Sequence, residues 1–292
     1  MQGKIIKGIG GFYYVHDRCG RVYECKARGI FRNRKIRPLV GDDVEFEVLD
    51  EEEALGSVED ILPRKNTLIR PAVANIDQAV LVFALKDPAP NFNLLDRFLV
   101  MMECQGLPCV LVFNKEDLAG EEMPALCRDV YRAAGYPLLF ISANREQGVE
   151  SVREILRGRT TVLAGPSGVG KSSLLNALTH DRRMETGEVS ARIGRGRHTT
   201  RHSELFYLEE GTFLMDTPGF TSLGVFTEEA GQLQECYPEF APYREACRFL
   251  DCVHVGERDC GVKAAVAEGK ISPVRYENYR QIYQEIRDAK KY

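Results

Sequence analysis

The chain has 292 residues, of which 44% are apolar and 28% are charged, so it can bury a substantial hydrophobic core. Its 39 basic and 43 acidic residues give a net charge of −4, which means that any surface for nucleic acid must be local. Apolar runs such as 79–85 are too short to span a membrane, and the first residues lack the apolar core of a signal peptide. We therefore expect a cytoplasmic protein that does not bind membranes.

Residues 1–66 alternate between apolar and polar side chains in short runs that are separated by turns. The predicted strands are 4–9, 12–16, 21–27, 44–49 and 57–62. Five short strands without a helix are typical of a small barrel of the OB type. Residues 26–37 contain six basic side chains and no acidic one, so the barrel is a candidate RNA-binding domain. The alternative is a structural barrel with a solvated basic loop.

Residues 67–225 have a different pattern, in which continuous apolar runs alternate with segments whose apolar residues recur at helical spacing. The predicted strands are 79–85, 108–113, 137–141, 161–164, 204–209 and 212–215. Such buried strands are typical of a parallel sheet that is covered by helices on both faces. Residues 226–292 lack strand patterns, and Ser272 with Pro273 marks the start of a terminal helix.

Residues 165–172 have the sequence G-P-S-G-V-G-K-S, directly after a predicted strand and before a predicted helix. This is the P-loop pattern, in which backbone N–H groups surround phosphates at a helix N-terminus. Lys171 is expected to reach the β- and γ-phosphates, and Ser172 to bind Mg²⁺. The predicted contacts are Gly165, Pro166, Ser167, Gly168, Val169, Gly170, Lys171, Ser172 and Ser173. The alternative, a glycine-rich turn without a ligand, fits this context poorly.

The tetrapeptide Asn114, Lys115, Glu116 and Asp117 follows a predicted strand, at the edge where doubly wound sheets bind ligands. It resembles the N-K-x-D signature of GTPases. That resemblance implies that Asp117 accepts hydrogen bonds from guanine, that Lys115 packs along the base and that Asn114 braces the loop. The predicted nucleotide contacts include all four residues of the tetrapeptide.

Two further motifs follow predicted strands. Ser142, Ala143 and Asn144 match the S-A-x element, which contacts guanine O6 in GTPases. Residues 216–219 match the D-x-x-G motif, which implies that Asp216 bonds to Mg²⁺ through water and that Gly219 contacts the γ-phosphate. Each short motif alone could be an ordinary strand-to-helix turn. The four motifs together indicate a GTPase.

The order of the motifs is permuted, because N-K-x-D and S-A-x precede the P-loop and D-x-x-G comes last. The predicted fold is therefore a circularly permuted α/β P-loop GTPase domain. An all-β OB-type barrel precedes this domain, and a zinc-binding helical module follows it. In this order the segment after Asp216 leads directly into the C-terminal region. A transition between order and disorder in that segment would therefore be transmitted to the C-terminal region.

Cys247, Cys252, His254 and Cys260 lie close together in the sequence. Three thiolates and one imidazole make a closed tetrahedral set that is suited to structural Zn²⁺, with no position left for a catalytic water. Reduced core cysteines and a redox pair are the alternatives. The remaining cysteines are interpreted as small buried apolar residues: Cys19, Cys25, Cys104, Cys109, Cys127 and Cys236.

With these features the chain closely resembles the small-ribosomal-subunit-dependent GTPase A family over essentially its whole length. The resemblance implies a late factor in small-subunit maturation that uses GTP, Mg²⁺ and Zn²⁺, releases GDP, and is stimulated by that subunit. It also implies contact with ribosomal RNA. We expect a monomer with domains at 1–66, 67–225 and 226–292. The alternatives are a translation-type GTPase on working ribosomes and a nucleotide-gated RNA-binding protein without useful hydrolysis.

Phe220 occupies the position at which many GTPases have a water-orienting glutamine, so either hydrolysis is lost or another residue positions the water. Thr199 or Thr200 is expected to close on Mg²⁺ and the γ-phosphate, and His198 to position the water. Lys171, Asp216 and Gly219 complete the expected catalytic set. The alternative is that His198 contacts RNA together with its basic neighbours Arg192, Arg195, Arg197, Arg201 and His202.

Overall fold

The structure is a computed structural model that describes residues 1–28, 31, 36–68, 72–179, 204–216 and 230–289. These residues form two compact units, each of which combines separate stretches of the chain. The first unit comprises Met1–Gln78, Val152–Leu163 and the described part of Leu178–Pro218. The second comprises Ala79–Ser151, Ala164–Ala177 and the described part of Gly219–Tyr292. Within the described ranges, no helix combines the length and the apolar character that crossing a membrane requires.

The first unit begins with a closed five-stranded barrel. Its strands are β1 (Gln2–Ile9), β2 (Phe12–Asp17), β3 (Val22–Ala27), β4 (Asp43–Asp50) and β5 (Leu55–Ile61). The barrel closes because β1 pairs with both β2 and β4, while β5 joins β3 to β4. Alternate side chains such as Ile5, Val15, Tyr23 and Phe46 fill its interior. The predicted OB-type barrel is thus confirmed.

The remaining strands are β6 (Thr67–Leu68), β7 (Val73–Ala74), β8 (Gln78–Ala84), β9 (Cys109–Asn114), β10 (Leu138–Phe140), β11 (Thr160–Ala164), β12 (Glu204–Glu209) and β13 (Thr212–Asp216). The helices are α1 (Phe92–Glu103), α2 (Glu122–Tyr131), α3 (Val149–Leu156), α4 (Lys171–Thr179), α5 (Ala241–Arg244), α6 (Gly261–Ala267) and α7 (Pro273–Ala289). All strands that the apolar runs predict are present. The pair β6–β7 and helices α2, α3 and α6 were not predicted, because their apolar patterns are short.

In the second unit, β8, β9 and β10 form parallel pairs, with β9 in the centre. Every residue of β8 and β9 is buried, which explains why their sequences are continuous apolar runs. Helix α1 begins after Asn91, whose side chain accepts a hydrogen bond from the Leu94 N–H at 3.0 Å. The carboxyl end of β9 carries Asn114 and therefore begins the site described below.

In the first unit, β11 runs parallel to β13, and β13 is antiparallel to β12. Strand β12 also pairs with the barrel strand β1 at Lys7 and Glu204, where a salt bridge joins the two side chains at 3.0 Å. The barrel and the β12–β13 hairpin therefore form one sheet within this unit. Strand β13 ends at Asp216, the first residue of the D-x-x-G motif.

The C-terminal residues 230–289 contain short helices, 3-10 turns and α7, and no strand among the described residues. Their apolar core includes Tyr237, Phe240, Tyr279 and Ile282. The predicted terminal helix is present and begins at Pro273. The C-terminal region is therefore helical, as expected.

Two of the cysteines correct the interpretation drawn from the sequence. Cys19 lies in the turn between β2 and β3, and Cys104 lies directly after α1, and both residues are exposed. The interpretation of these two as buried apolar residues was wrong, because they lie in a turn and at a helix end whose neighbouring residues, such as Arg18 and Glu103, are polar. Cys25, Cys109 and Cys127 are buried, as expected.

Candidate nucleotide site and metal centre

The P-loop connects β11 to α4, and two of its positions combine a positive φ angle with close neighbours, so that only glycine fits there. Gly165 has φ +148°, and a Cβ atom there would lie 2.1 Å from the carbonyl oxygen of Val82. Gly170 has φ +93°, and a Cβ atom there would lie 2.2 Å from Nδ2 of Asn114. Any side chain at either position would strain the loop. The loop can therefore approach its neighbours closely, as a phosphate-binding loop must.

Lys171 begins α4, and its ammonium group bends back over the loop. Its Nζ atom donates hydrogen bonds to the carbonyl oxygens of Gly165 at 2.8 Å and Pro166 at 2.7 Å. Ser172 and Ser173 follow in the first turn of the helix and are partly buried. A cation and a helix N-terminus thus lie at the same end of the loop, which is the electrostatic environment that phosphate requires.

The side chain of Asn114 joins the P-loop to the S-A-N turn. It is 2% exposed. Its Nδ2 donates to the Val169 carbonyl at 2.9 Å, and its Oδ1 accepts from the Ala143 N–H at 3.0 Å. Three motifs that are far apart in the sequence therefore meet at one amide. These two hydrogen bonds hold the loops together.

Lys115 has φ +62°, a left-handed conformation that directs its side chain across the P-loop. Its Nζ donates to the carbonyl oxygens of Gly168, at 2.8 Å, and of Asp87. The Lys115 stem is thus held between the P-loop and the segment that follows β8. This is the position from which an aliphatic stem can pack along a base.

Asp117 is held by two donors. Its Oδ1 accepts from the Ser142 hydroxyl at 2.7 Å, and its Oδ2 pairs with Arg145 Nε at 3.1 Å. The Asp117 side chain is 12% exposed, whereas that of Arg145 is 61% exposed. A carboxylate has about four acceptor positions, so about two remain for the donors of a ligand. The sequence did not single out Arg145, because no motif includes that position.

The other predicted contacts differ in exposure. Glu116, Asn144, Ser167 and Gly168 are exposed, whereas Val169 and Ala143 are buried. The backbone of Asp216 ends β13. His198, Thr199, Thr200, Gly219 and Phe220 lie outside the described residues, as do Arg192, Arg195, Arg197, Arg201 and His202.

Cys247, Cys252, His254 and Cys260 come together in the C-terminal region, with all four ligand atoms within 4.8 Å of one another. The three sulfurs lie 3.3–3.5 Å from Nδ1 of the histidine, and Cys247 Sγ lies 3.8 Å from Cys260 Sγ. In a tetrahedral site with zinc–sulfur bonds of about 2.3 Å, sulfurs lie about 3.8 Å apart and sulfur lies about 3.5 Å from nitrogen. The donor set and its dimensions are therefore compatible with zinc.

The surroundings of this cluster orient its histidine. Nε2 of His254 lies 2.9 Å from Oε1 of Gln234, an oxygen that can only accept, so Nε2 carries the proton and Nδ1 is free to bind a metal. Burial lowers the pKa of His254 and raises that of the Cys252 thiol to about 12. The Cys252 thiol therefore resists ionisation without a cation, and a divalent cation would compensate the charge of its thiolate. Gln234 was missed in the sequence because it lies 20 residues from the histidine.

A buried ionic network joins α7 to the rest of the second unit. Arg275 is 1% exposed, and its guanidinium donates to Glu239 at 2.7 Å and to Asp96 at 2.6 Å. Asp96 also accepts from Asn278 and from the Tyr131 hydroxyl. Burial opposes the charge of Arg275, but the two carboxylates outweigh it and raise its pKa. The network fixes α7 against α1, and no sequence pattern indicated it.

Family models match most of the chain. The model described as RsgA GTPase matches residues 61–226, and the RsgA N-terminal domain matches residues 2–55. The small ribosomal subunit biogenesis GTPase RsgA of Agathobacter rectalis is 53% identical over 302 aligned positions that cover 100% of both chains. The protein of the same name from Alkaliphilus metalliredigens is 47% identical and covers 100% of this chain and 99% of its own.

Two solved structures are also similar. YjeQ from Thermotoga maritima has a TM-score of 0.83 and 36% identity over 98% of each chain. YloQ, described as a circularly permuted GTPase, has a TM-score of 0.80 and 38% identity over 99% of this chain and 95% of its own. Agreement in sequence and in fold extends over the whole length, and it includes the permuted motif order. The chain therefore belongs to the RsgA GTPase family and is a circularly permuted GTP hydrolase.

Proposed function

We propose that this GTPase acts in late maturation of the small ribosomal subunit and that the subunit stimulates its hydrolysis of GTP. The observation that carries the nucleotide part is the Asn114 amide, which bonds to both Val169 of the P-loop and Ala143 of the S-A-N turn. The ribosomal part is supported by the names of the relatives, small ribosomal subunit biogenesis GTPase. In this proposal the protein acts as a monomer with domains at 1–66, 67–225 and 226–292.

In the nucleotide complex, the backbone N–H groups of residues 165–172 other than Pro166 would bind the phosphates and Lys171 would neutralise their charge. The Ser172 hydroxyl would bind Mg²⁺, which compensates phosphate charge, and the Asp216 carboxylate would reach that ion through water. The hydrogen bonds of Lys171 to the loop carbonyls support this assignment, because they already hold the ammonium group over the loop. Ser173 and the remaining loop residues complete the phosphate side.

On the base side, Asp117 would accept hydrogen bonds from N1–H and the exocyclic amine of guanine. Adenine does not present these two donors, so the contact selects guanine nucleotides. The hydrogen bond from Ser142 to Oδ1 supports this role because it fixes the carboxylate plane. Glu116, Ala143 and Asn144 would complete the loop around the base.

The attacking water is assigned to His198, with Thr199 or Thr200 and Gly219 closing on the γ-phosphate. This assignment rests on sequence alone, since Phe220 cannot orient water. It predicts that His198→Ala keeps the binding of GTP and of the subunit while losing most of the stimulated turnover. Loss of subunit binding with unchanged rates at saturation would make His198 an RNA contact instead.

The central experiment measures GTP turnover with and without purified small ribosomal subunits, using large subunits as the control. We expect slow turnover alone and a clear increase with small subunits only. Lys171→Ala should abolish both rates, which shows that the activity belongs to this chain. Equal stimulation by both subunits, or none, would contradict the proposal. Equal binding to mature and immature small subunits in cells would favour a translation-type GTPase.

For the metal centre, we propose that Cys247, Cys252, His254 and Cys260 hold a structural Zn²⁺ ion. All four ligands come from protein, so no position remains for a reacting water. The sulfur–nitrogen distances and the Gln234 contact support this assignment. Metal analysis of the purified protein should give one zinc per chain, and Cys247→Ser should reduce it.

For RNA, we propose contact through the barrel, the basic segments and the zinc module. Lys26, at the end of β3, lies 5.1 Å from the ring centroid of Phe12 and can present its charge beside an aromatic surface. If the basic segments contact phosphates, affinity for the subunit should fall steeply with salt. A flat salt dependence would identify them as solvated surfaces.

A further inference from the structure

Two cysteines outside the metal centre lie in direct contact. Cys104 follows the last residue of α1, and Cys236 ends the 3-10 turn Ala230–Cys236. Their sulfurs are 2.7 Å apart although 132 positions separate them in the sequence. By comparison, Cys247 Sγ and Cys260 Sγ, two ligand atoms of the metal centre, are 3.8 Å apart. A disulfide bond of about 2.0 Å would require the two sulfurs to approach by only about 0.7 Å.

Packing holds both cysteines in place. Val100 of α1 lies in one apolar cluster with Leu233, Cys236 and Phe240. The Cys104 N–H donates to the Val100 carbonyl at 3.0 Å, which fixes the end of the helix. The two thiols therefore approach each other through elements that are already packed.

The two thiols differ in access and in reactivity. Cys104 is exposed, whereas Cys236 is 4% exposed. The hydrogen bond with Cys236 lowers the pKa of the Cys104 thiol, while the same hydrogen bond and burial raise the pKa of Cys236. Thiolate character and exposure govern attack on oxidants. Cys104 is thus placed to react first, and Cys236 is placed to react with its product.

We propose that Cys104 and Cys236 form a peroxide-sensitive thiol pair that closes into a disulfide between the end of α1 and the 230–236 turn. In the first step, the Cys104 thiolate attacks hydrogen peroxide, which breaks the O–O bond and gives a sulfenic acid and, after protonation, water. In the second, the Cys236 sulfur attacks the sulfenic sulfur, and the hydroxyl group leaves as water with the thiol proton. Two thiols are oxidised and one peroxide is reduced.

The location gives this bond a structural consequence. Gln234, two residues before Cys236, contacts the histidine of the metal centre, and Tyr237 follows in the core of the C-terminal region. The disulfide would therefore tie α1 covalently to the segment that enters the metal-binding region. It should raise the midpoint of thermal unfolding of the oxidised protein, because it restricts the conformations that the unfolded chain can adopt.

The test treats the full-length protein with a series of hydrogen peroxide concentrations and maps its peptides without reduction. We expect a linked peptide that contains Cys104 and Cys236, at concentrations where the metal content is unchanged. Cys236→Ser should trap a sulfenic acid on Cys104, which dimedone labels, and Cys104→Ser should leave Cys236 reduced. Cys19→Ser removes the other exposed cysteine and should behave like the unchanged protein.

The proposal is overturned if Cys104 reaches the sulfinic acid in the unchanged protein without forming the linked peptide. It is also overturned if Cys104 links instead to a cysteine of the metal centre, or if linkage appears only after the metal is lost. Should Cys236→Ser fail to fold, the linked peptide of the unchanged protein decides the question, because that measurement needs no variant.

Discussion

The nucleotide loops and the metal centre lie in the same unit but are organised by different interactions. The loops are joined by hydrogen bonds such as those of Asn114 and Asp117, at the ends of strands that are buried along their length. The metal centre has four candidate ligands on short segments, and burial raises the pKa values of the Cys252 and Cys260 thiols. Hydrogen bonds of the chain itself organise the nucleotide loops, whereas we propose that the C-terminal centre depends on a bound cation.

The largest effect is expected from removing the metal. Chelation should expose residues 247–260 to hydrogen exchange, because binding energy of about 10–16 kcal/mol for a structural zinc is also folding energy. Strands β8 and β9 should stay protected, and GDP should still bind. Hydrogen exchange measured by mass spectrometry tests both the loss of protection at residues 247–260 and the retained protection of β8 and β9. Equal loss of protection in β8 and β9 would show that the two regions are not organised separately.

The next effect concerns the attachment of α7. Arg275→Met should lower the free energy of unfolding by about 3–5 kcal/mol, because it leaves the Asp96 and Glu239 carboxylates buried without their partner. Denaturant titration measures this loss. The matched control is Arg280→Met on the same helix, where the exposed pair with Glu277 should change stability by about 0.5 kcal/mol or less. Equal effects of both variants would contradict the role of the network.

On the nucleotide side, Asp117→Asn should weaken GDP binding by about 10²-fold or more, because donors on guanine lose their charged acceptor. The same variant should gain affinity for xanthosine diphosphate, since the asparagine amide can donate to the additional carbonyl of xanthine. Calorimetric titration with GDP and with xanthosine diphosphate tests this change in specificity. The stability of the protein should hardly change. Unchanged GDP affinity would refute the assignment of the base site.

The smallest effect is expected from Ser142→Ala, which removes the hydrogen bond to Asp117 but leaves the carboxylate in place. Losing this hydrogen bond should cost about 1 kcal/mol of binding free energy, which corresponds to about a fivefold weaker affinity for GDP. Ser151→Ala, at an exposed position of α3, serves as the control and should change nothing. An effect as large as that of Asp117→Asn would mean that Ser142 itself binds the base.

The strands that the nucleotide motifs follow were predictable from their short apolar runs. The four metal ligands were predictable from their spacing, since a short segment can bring them together. Arg145, Gln234 and Arg275 were not predictable. Each acts on a residue in another segment, and no local pattern marks an arginine or a glutamine as a partner. Cys104 was misjudged for a similar reason, because exposure at a helix end depends on what packs beside it.

The sequence by itself determined the barrel strands, the permuted order of the GTPase motifs and the donor set of the metal centre. These features depend on periodicity, glycine positions and short spacings, all of which are local. Only the tertiary structure decided that Asn114 joins two loops, that α7 is fixed to α1 through Arg275 and that Cys104 meets Cys236. Contacts between residues more than 100 positions apart, such as Arg275 with Asp96 and Cys104 with Cys236, depend on how the helices pack around the sheet, which no local pattern specifies.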